Sequence, residues 1–456
     1  MPQITIVGLG PGGAQYLTRE AWQVLTGADE IWLRTLHHPG IEELPERIPL
    51  FTFDACYEEE ATFEQVYMRI VTEVLELGRR EQGVIYAVPG HPLVGESAVL
   101  QILRDARAAG ISTQVVAGIS FIEQVLTALE VDALNGLQIM DALAVMALQH
   151  PPLNPDFPAL IGQIYSQAVA SELKMTLMNQ YPDEHEVVLV DGAGTTAQQL
   201  RRLPLYELDR LPVGLLSALY VPPLPVYNCS FEVLQATIAR LRAPEGCPWD
   251  RQQTHKSLRD NLLEETYEVL EAIDRGDEAA LQEELGDLLL QVVLHAQIAT
   301  EYGEFRMADI IAGINAKLRY RHPHVWGEVE VEDAAEVCLN WETLKRQERE
   351  EQGQTERSLL DGVPKSLPAL TQAYDYGNRA KHVGFKPDIK TLQVRMCELL
   401  AGLEDARSEV QAIQLGELLF ALVDWARWLK VDPESALREA NLRFAQNFQG
   451  IETAAP

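Results

Sequence analysis

The strongest constraint on the fold is a change of hydrophobic period near the middle of the chain. Before the proline-rich stretch VPPLPVYN (221–228), short apolar runs typical of strands alternate with helical segments. After it, apolar residues recur every three or four positions and strand patterns nearly disappear. A chain of 456 residues is also too long for one ordinary core. The sequence therefore predicts an α/β half followed by an all-α half.

The α/β half is predicted to contain two subdomains. The runs ITIVGLGPGG, VIYAVPGHP and STQVVAGIS are each followed by a helical pattern. This order is typical of an open, mostly parallel sheet covered by helices on both faces. The alternation resumes after the proline-rich segment HPPLNPDFP with ALIGQIY and EVVLVDGAG. We therefore expect a module at 1–227 with subdomains at about 1–150 and 157–220.

The helical half contains an internal repeat. The segment EELGDLLLQVVLHA (283–296) resembles IQLGELLFALVDWA (413–426), with the same LG-acid-LL core and similar apolar spacing. This repetition predicts one helical domain at 228–350 and a second, degenerate repeat at 360–456. Asp277 is predicted to cap the helix of the first segment, and Gly303 to end it.

Charge and cysteine content limit the partners. The formal net charge is −31 and both halves are acidic, which argues against binding to nucleic acid or to an anionic membrane. The five cysteines form no CxxC or Cys/His cluster, as in reduced cytosolic proteins. We find no basic leader and no apolar run long enough to span a bilayer. These features predict a cytoplasmic protein.

Two pairs of carboxylates are the main candidates for chemistry. Glu265 and Glu268 share one helix face, and Glu284 and Asp287 share a face of the next helix. The short break between these helices lets them pack antiparallel, which would bring the pairs together. Such a cluster would repel itself unless a cation such as Mg²⁺ lay between the oxygens. The alternative is two amphipathic helices with acidic solvent-facing sides, and the flanking residues decide between these interpretations.

The flanking segments are CPWDRQQTHKSLRDNLLEETYEVLEAI, KLRYRHPHVWGEVEVED and NWETLKRQE. In this order they strongly resemble the MazG family of all-α nucleoside triphosphate pyrophosphohydrolases, over about half of the chain. The resemblance implies Mg²⁺ held by Glu265, Glu268, Glu284 and Asp287, with Glu264 orienting these ligands, positioning water or serving only as a neighbour. It also implies a homodimer or higher homo-oligomer. The residues that it implies around the nucleotide are Lys317, Arg321, Trp341 and Lys345.

The second repeat departs from this pattern. Gln414 and Glu417 stand where the first repeat has Glu284 and Asp287, and only Glu398 remains from the other pair. We expect this repeat to lack most metal affinity and to be structural.

Glycine-containing turns mark the first half. GLGPGG follows a strand but is not the usual GxGxxG, so alone it is weak evidence for a dinucleotide site. Together with AVPGHPLVGE and VVAGISFIE it resembles the tetrapyrrole methylase family, in particular the YabN-like branch fused to MazG domains. That family binds S-adenosylmethionine in a cleft between two α/β subdomains. By motif, the residues lining the cleft would be Gly8, Gly10, Gly12, Pro89, Gly90, His91, Pro92 and Ser120.

One of these turns departs from the methylase pattern. PGHP stands where many catalytic members have a GDP-type loop, which puts porphyrin or corrin methylation in doubt. His91 is a candidate catalytic base, although a structural hydrogen bond is the more common role of a loop histidine.

The MazG resemblance implies hydrolysis of a nucleoside triphosphate to the monophosphate and pyrophosphate, as a nucleotide-pool cleaning activity. One alternative is a methyltransferase whose helical half serves assembly. The other is a sensor that binds nucleotide or S-adenosylmethionine without turnover.

Overall fold

The computed structural model describes residues 3–226, 228–351, 358, 360–381, 383–385, 388–405 and 408–454. It divides into two compact units, Met1–Met307 and Ala308–Pro456, here called the N-terminal and C-terminal units. The N-terminal unit contains two sheets and the first helices of the all-α half. The C-terminal unit is helical throughout its described part.

The first sheet is parallel, as predicted. Its strands are β1 (Ile4–Gly8), β2 (Ile31–Leu33), β3 (Leu50–Thr52), β4 (Val84–Val88) and β5 (Thr113–Val116), in the order β3-β2-β4-β1-β5. The connecting helices are α1 (Arg19–Thr26), α2 (Asp54–Glu59), α3 (Phe63–Gly78) and α4 (Ser97–Ala108). Ile6 and Val7, consecutive on β1, belong to two different apolar cores. Both faces of this sheet are therefore covered, which explains the nearly continuous apolar runs.

The second sheet is mixed. Its strands are β6 (Gln138–Asp141), β7 (Ala159–Gly162), β8 (Glu186–Asp191), β9 (Gln199–Pro204) and β10 (Ser217–Val221), in the order β6-β7-β10-β8-β9. Only β6 and β7 pair in parallel, and the other three pairings are antiparallel. The accompanying helices are α5 (Phe121–Leu129), α6 (Ala142–Met146) and α7 (Gln167–Leu177). HPPLNPDFP thus lies between two paired strands of one sheet, and this sheet begins at Gln138, earlier than the predicted subdomain. The domain limits themselves remain a prediction.

Four helices follow β10 in the N-terminal unit: α8 (Phe231–Arg242), α9 (Pro248–Gln252), α10 (Arg259–Arg275) and α11 (Glu278–Tyr302). The predicted ends of α11 are confirmed, because the Asp277 side chain accepts a hydrogen bond from the Ala280 amide and Gly303 has φ of 71°. Ile238 of α8 packs with Val293 and Leu294 of α11 in one apolar core.

The proline-rich segment between the halves is attached to the second sheet. The Leu224 amide donates to the Pro155 carbonyl at 2.9 Å. The Asp156 carboxylate accepts from the amides of Cys229 and Ser230, both at 3.0 Å, just before α8 begins. The Ser230 side chain then caps α8 by accepting from the Val233 amide. The start of the helical half is therefore held against the α/β half.

The described residues of the C-terminal unit form α12, which begins at the junction, and six further helices. These are α12 (Met307–Arg321), α13 (Pro323–Trp326), α14 (Ala334–Glu351), α15 (Ala369–Lys381), α16 (Ile389–Asp405), α17 (Ser408–Trp428) and α18 (Pro433–Ala454). Leu392 and Met396 of α16 pack against Leu418 and Ala421 of α17. Over the ranges described, no helix combines the length and apolar character required to cross a membrane.

Candidate active and cofactor sites

Helices α10 and α11 form a hairpin that carries both carboxylate pairs. Gly276, with φ of 65°, and Asp277 reverse the chain between them, and the two helices then pack along each other. Glycine suits this left-handed position because it has no Cβ. On each helix, residues three apart lie on one face.

This hairpin brings the predicted metal ligands together. Ligand oxygens of Glu265, Glu268 and Glu284 all lie within 4.8 Å of one another. Asp287 is close enough for its negative charge to raise the pKa of both Glu265 and Glu284. Glu264 lies on the exposed side of α10, outside this three-residue group.

The electrostatics of the cluster fit a hard divalent cation. Burial raises the pKa of Glu265, and the negative charges of Asp287 and Glu268 raise it further. Burial and the charges of Glu268, Glu283 and Asp287 do the same for Glu284. A cation among the oxygens would remove this repulsion, and carboxylate oxygens are the ligands that Mg²⁺ prefers.

The glycine turns of the first half also meet. Gly10 at the end of β1 and Gly90 at the end of β4 exchange backbone hydrogen bonds of 3.1 and 2.8 Å. Gly118, after β5, lies so close that a Cβ there would approach the Gly90 carbonyl oxygen to 2.1 Å. Since β4, β1 and β5 are neighbours in a parallel sheet, their carboxyl ends share one edge. Ligands of open α/β sheets bind at such an edge.

The surroundings of Gly12 and Gly90 show where these turns lie relative to the second sheet and to open space. A Cβ on Gly12 would come within 2.6 Å of the Gly194 carbonyl oxygen, so the turn after β1 approaches the loop after β8 of the second sheet. Gly90 has φ of 65° and a Cβ there would meet nothing within 4 Å. The turn after β4 therefore borders open space beside the junction of the two sheets.

The other predicted cleft residues have local structural roles. His91 accepts a hydrogen bond at Nδ1 from the Leu93 amide at 3.0 Å, the structural role considered from the sequence. Ser120 accepts from the Ile122 amide and forms a capping box with Glu123 at the start of α5. Pro92 is buried in the same turn, and Pro89 is half-buried.

Each half of the chain contains a region that matches a known protein family. The model of the tetrapyrrole (corrin/porphyrin) methylases matches residues 3–209, and that of the MazG nucleotide pyrophosphohydrolase domain matches residues 253–326. The uncharacterized protein YabN of Bacillus subtilis (strain 168) is 40% identical, over 99% of this chain and 94% of YabN. The chain belongs to the YabN family.

Shorter relatives of this YabN-family chain match about half of its length. The nucleoside triphosphate pyrophosphohydrolase/pyrophosphatase MazG of Thermotoga maritima is 42% identical over 49% of the chain and 85% of its own length. The nucleoside triphosphate pyrophosphohydrolase of Escherichia coli (strain K12) is 43% identical over 48% and 86%. Among solved structures, uroporphyrin-III-C-methyltransferase from Thermus thermophilus aligns over 48% of the chain and 91% of its own, with 22% identity and a TM-score of 0.39.

The predicted nucleotide-binding residues of this YabN-family protein all lie in the C-terminal unit. Arg321 of α12 forms an ion pair with Glu348 of α14 at 2.7 Å, and its guanidinium lies 5.6 Å from the centroid of the Trp341 ring. Lys317 precedes Arg321 by one turn, and Lys345 follows Trp341 by one turn, so each pair shares a helix face. Arg321 and Trp341 are thus in contact. Proximity of the four residues to the carboxylates remains a prediction.

The second repeat replaces the acidic cluster with an ion pair. Glu417, the counterpart of Asp287, pairs with Arg395 of α16. In the ranges that the structure describes, three potential metal ligands come together only in the first repeat. The absence of a metal site in the second repeat stays a prediction, and the neutralised Glu417 agrees with it.

Sequence reasoning missed three polar residues behind the acidic cluster. Gln291 of α11 is buried and interacts with Glu265, opposing the rise in the pKa of that carboxyl. One turn later, Nδ1 of His295 lies 2.7 Å from Nδ1 of His255, so one nitrogen carries the shared hydrogen. Burial and neighbouring His255 lower the pKa of His295. For Gln291 and His295 the available signal was their spacing of four and eight residues after Asp287, which keeps them on the helix face of the ligands.

Proposed function

We propose that the helical half hydrolyses nucleoside triphosphates to the monophosphate and pyrophosphate, with Mg²⁺ held by Glu265, Glu268, Glu284 and Asp287. The observation that carries this proposal is the approach of three carboxylates to within 4.8 Å, beside a fourth. The match of residues 253–326 to the MazG nucleotide pyrophosphohydrolase domain and the likeness to nucleoside triphosphate pyrophosphohydrolases support it. Binding without turnover would not require so many anionic ligands, which favours hydrolysis over a sensor.

The chain's own residues have distinct roles in this proposal. Bound Mg²⁺ would polarise the phosphates and lower the pKa of a coordinated water. The four carboxylates would hold the cation in place, and Glu264 is close enough in sequence to orient them or the attacking water. Lys317, Arg321 and Lys345 would offset negative charge on the triphosphate, and Trp341 would contact the base. Glu348 keeps the Arg321 guanidinium oriented through their ion pair.

The decisive experiment measures pyrophosphate release from a panel of canonical and modified nucleoside triphosphates, with Mg²⁺ and with a chelator. We expect release that requires the metal. Release that persists in the chelator would contradict the metal assignment. No release from any substrate would favour the sensor alternative.

A second function is S-adenosylmethionine binding by the α/β half. It is favoured by the meeting of the Gly10, Gly90 and Gly118 turns at one sheet edge, with open space beside Gly90. Glycine lets backbone N–H groups approach a ligand without interference from a Cβ. Calorimetric titration with S-adenosylmethionine and S-adenosylhomocysteine tests this function, and absence of heat from both would reduce this half to a scaffold. The methyl acceptor is left unassigned.

Assembly and location complete the proposal. Apolar side chains are exposed along the α10–α11 hairpin, namely Leu263, Tyr267, Ile273, Leu285 and Leu289. Covering them with a second copy would remove apolar surface from water, so we expect a homodimer or higher homo-oligomer. Light scattering coupled to size exclusion measures the mass directly, and a monomer at micromolar concentration would contradict this. A cytoplasmic location and no binding to nucleic acid are expected from the cysteines and the net charge of −31.

A further inference from the structure

A polar stripe continues along α11 beyond the carboxylates. Glu284, Asp287, Gln291 and His295 follow one another at spacings of three, four and four residues, which keeps them on one helix face. Gln291 is only 5% exposed and lies in a stretch whose neighbours Val293 and Leu294 are core residues. A buried amide is costly unless it is hydrogen-bonded. The glutamine therefore requires a specific partner to justify its position.

That partner is the metal-ligand candidate Glu265. The Gln291 amide interacts with the Glu265 carboxylate and opposes the rise in the pKa of Glu265 that burial and the neighbouring charges cause. Since a carboxylate accepts, the amide Nε2 of Gln291 donates. The other amide atom, Oε1, is buried without a hydrogen-bond partner among the residues described. Its partner shows that the buried side chain is directed at the acidic cluster.

The second repeat indicates that the helical fold itself does not need this glutamine. Alignment of EELGDLLLQVVLHA with IQLGELLFALVDWA places Ala421 at the position of Gln291 and Trp425 at that of His295. Ala421 is 4% exposed and packs with Leu392 and Leu418. The equivalent helix of the second repeat, α17, therefore packs with an apolar side chain at this position. The polar residues are absent from the repeat that has also lost the carboxylate quartet.

We infer that Gln291 is a positioning residue for the metal site, holding the Glu265 carboxylate in the orientation that completes the cluster with Glu268 and Glu284. This inference rests on the proposed metal-dependent function. An amide behind a ligand fixes which oxygen faces the cation, as outer-shell partners of metal ligands do. Loss of such partners typically lowers metal affinity or activity by about 10–100-fold.

Calorimetric titration of the full-length protein with Mn²⁺ tests the inference without requiring turnover. Gln291→Leu removes the donor at nearly constant volume, and we expect the Mn²⁺ affinity to fall by about 10–100-fold. The melting temperature without metal should not fall, because the position tolerates an apolar residue. Gln291→Met, which keeps the unbranched shape, provides a second variant if the leucine disturbs folding. Gln297→Leu is the matched control, since Gln297 lies on the same helix but donates to Glu301 at 3.0 Å.

The outcomes separate this inference from the proposed function. An Mn²⁺ affinity within twofold of wild type in both Gln291 variants would overturn the inference while leaving the metal site intact. An equal loss in Gln297→Leu would overturn it too, because the effect would then be general to the helix. Absence of Mn²⁺ binding by the wild-type protein would overturn the metal site and the inference together.

Discussion

The effect of Glu265→Gln on the free energy of unfolding should change sign when metal is added. Without metal, Glu265 is repelled by Glu268 and Asp287, and burial opposes its charge as well. Replacing the carboxylate by an amide of the same shape removes these repulsions. The variant should therefore be more stable than wild type in a chelator, although it has lost a candidate ligand.

The size of the effect follows from the geometry. Ligand oxygens of Glu265 and Glu268 lie within 4.8 Å, and two such charges in bulk water repel by about 0.9 kcal/mol. Measured interaction energies of exposed charge pairs are about 0.2–1 kcal/mol. We therefore expect the repulsion of Glu265 by Glu268 and Asp287 together to be about 1 kcal/mol. For a large domain this corresponds to a rise in melting temperature of about 2–4 °C. Metal reverses the order, because a ligand at 100 times its dissociation constant stabilises wild type by about 2.7 kcal/mol.

Thermal melts in chelator and in excess Mg²⁺ measure both effects, with Glu43→Gln as the control because it removes one exposed carboxylate from a loop of the first sheet. The melting temperatures of wild type and Glu265→Gln should cross on adding metal, and the control should follow wild type. The pH dependence has a defined sign: since the pKa of Glu265 is raised from 4.5, metal-free wild type should lose stability as pH rises through the range just above that value. A variant that melts lower than wild type in chelator, or gains equally from Mg²⁺, would refute the reasoning.

Four further outcomes are expected. Asp287→Asn should abolish pyrophosphate release with the helices still folded, because a neutral amide is a poor ligand for Mg²⁺; near-normal turnover at saturating metal would exclude Asp287 as a ligand. Glu417→Gln should leave release almost unchanged, since Arg395 already neutralises that carboxylate, and a loss as large as that of Asp287→Asn would make the second repeat catalytic. Gly90→Asn should weaken S-adenosylmethionine binding at least tenfold in calorimetry, whereas Gly110→Asn, at another left-handed glycine with no atom within 4 Å of an added Cβ, should not; equal affinities would exclude the turn from the cofactor site. Asp156→Asn should speed hydrogen exchange of the Ser230 amide, because the amides of Ser230 and Cys229 both donate to this carboxylate. These hydrogen bonds lower the pKa of Asp156 to about 2, so wild type should lose the protection only as pH falls towards that value. Unchanged exchange in the variant would mean that the aspartate does not attach α8.

The meeting of the two carboxylate pairs could be predicted from the sequence because it depends on spacing between residues that are close along the chain. Spacings of three residues place Glu265 with Glu268 and Glu284 with Asp287 on one face of each helix. The short turn at Gly276 favours antiparallel packing of the two helices. The clustering of these residues follows from helix geometry. The glycine turns could be found for the same reason, since a glycine directly after an apolar run marks a strand end. That these turns contact one another could be known only from the order of the parallel strands.

Long-range pairing was decided only by the tertiary structure. Alternating strand and helix patterns do not distinguish parallel from antiparallel neighbours, so the mixed order of the second sheet and the inclusion of β6 could not be derived. The attachment of the segment before α8 depends on Asp156, a residue more than 70 positions away from its partners. The interaction of Gln291 with Glu265 was also not predicted, because a single glutamine in an apolar helix pattern does not show whether its side chain is buried. Hydrophobic period predicts which elements form, whereas packing and hydrogen bonds between distant residues decide which elements meet.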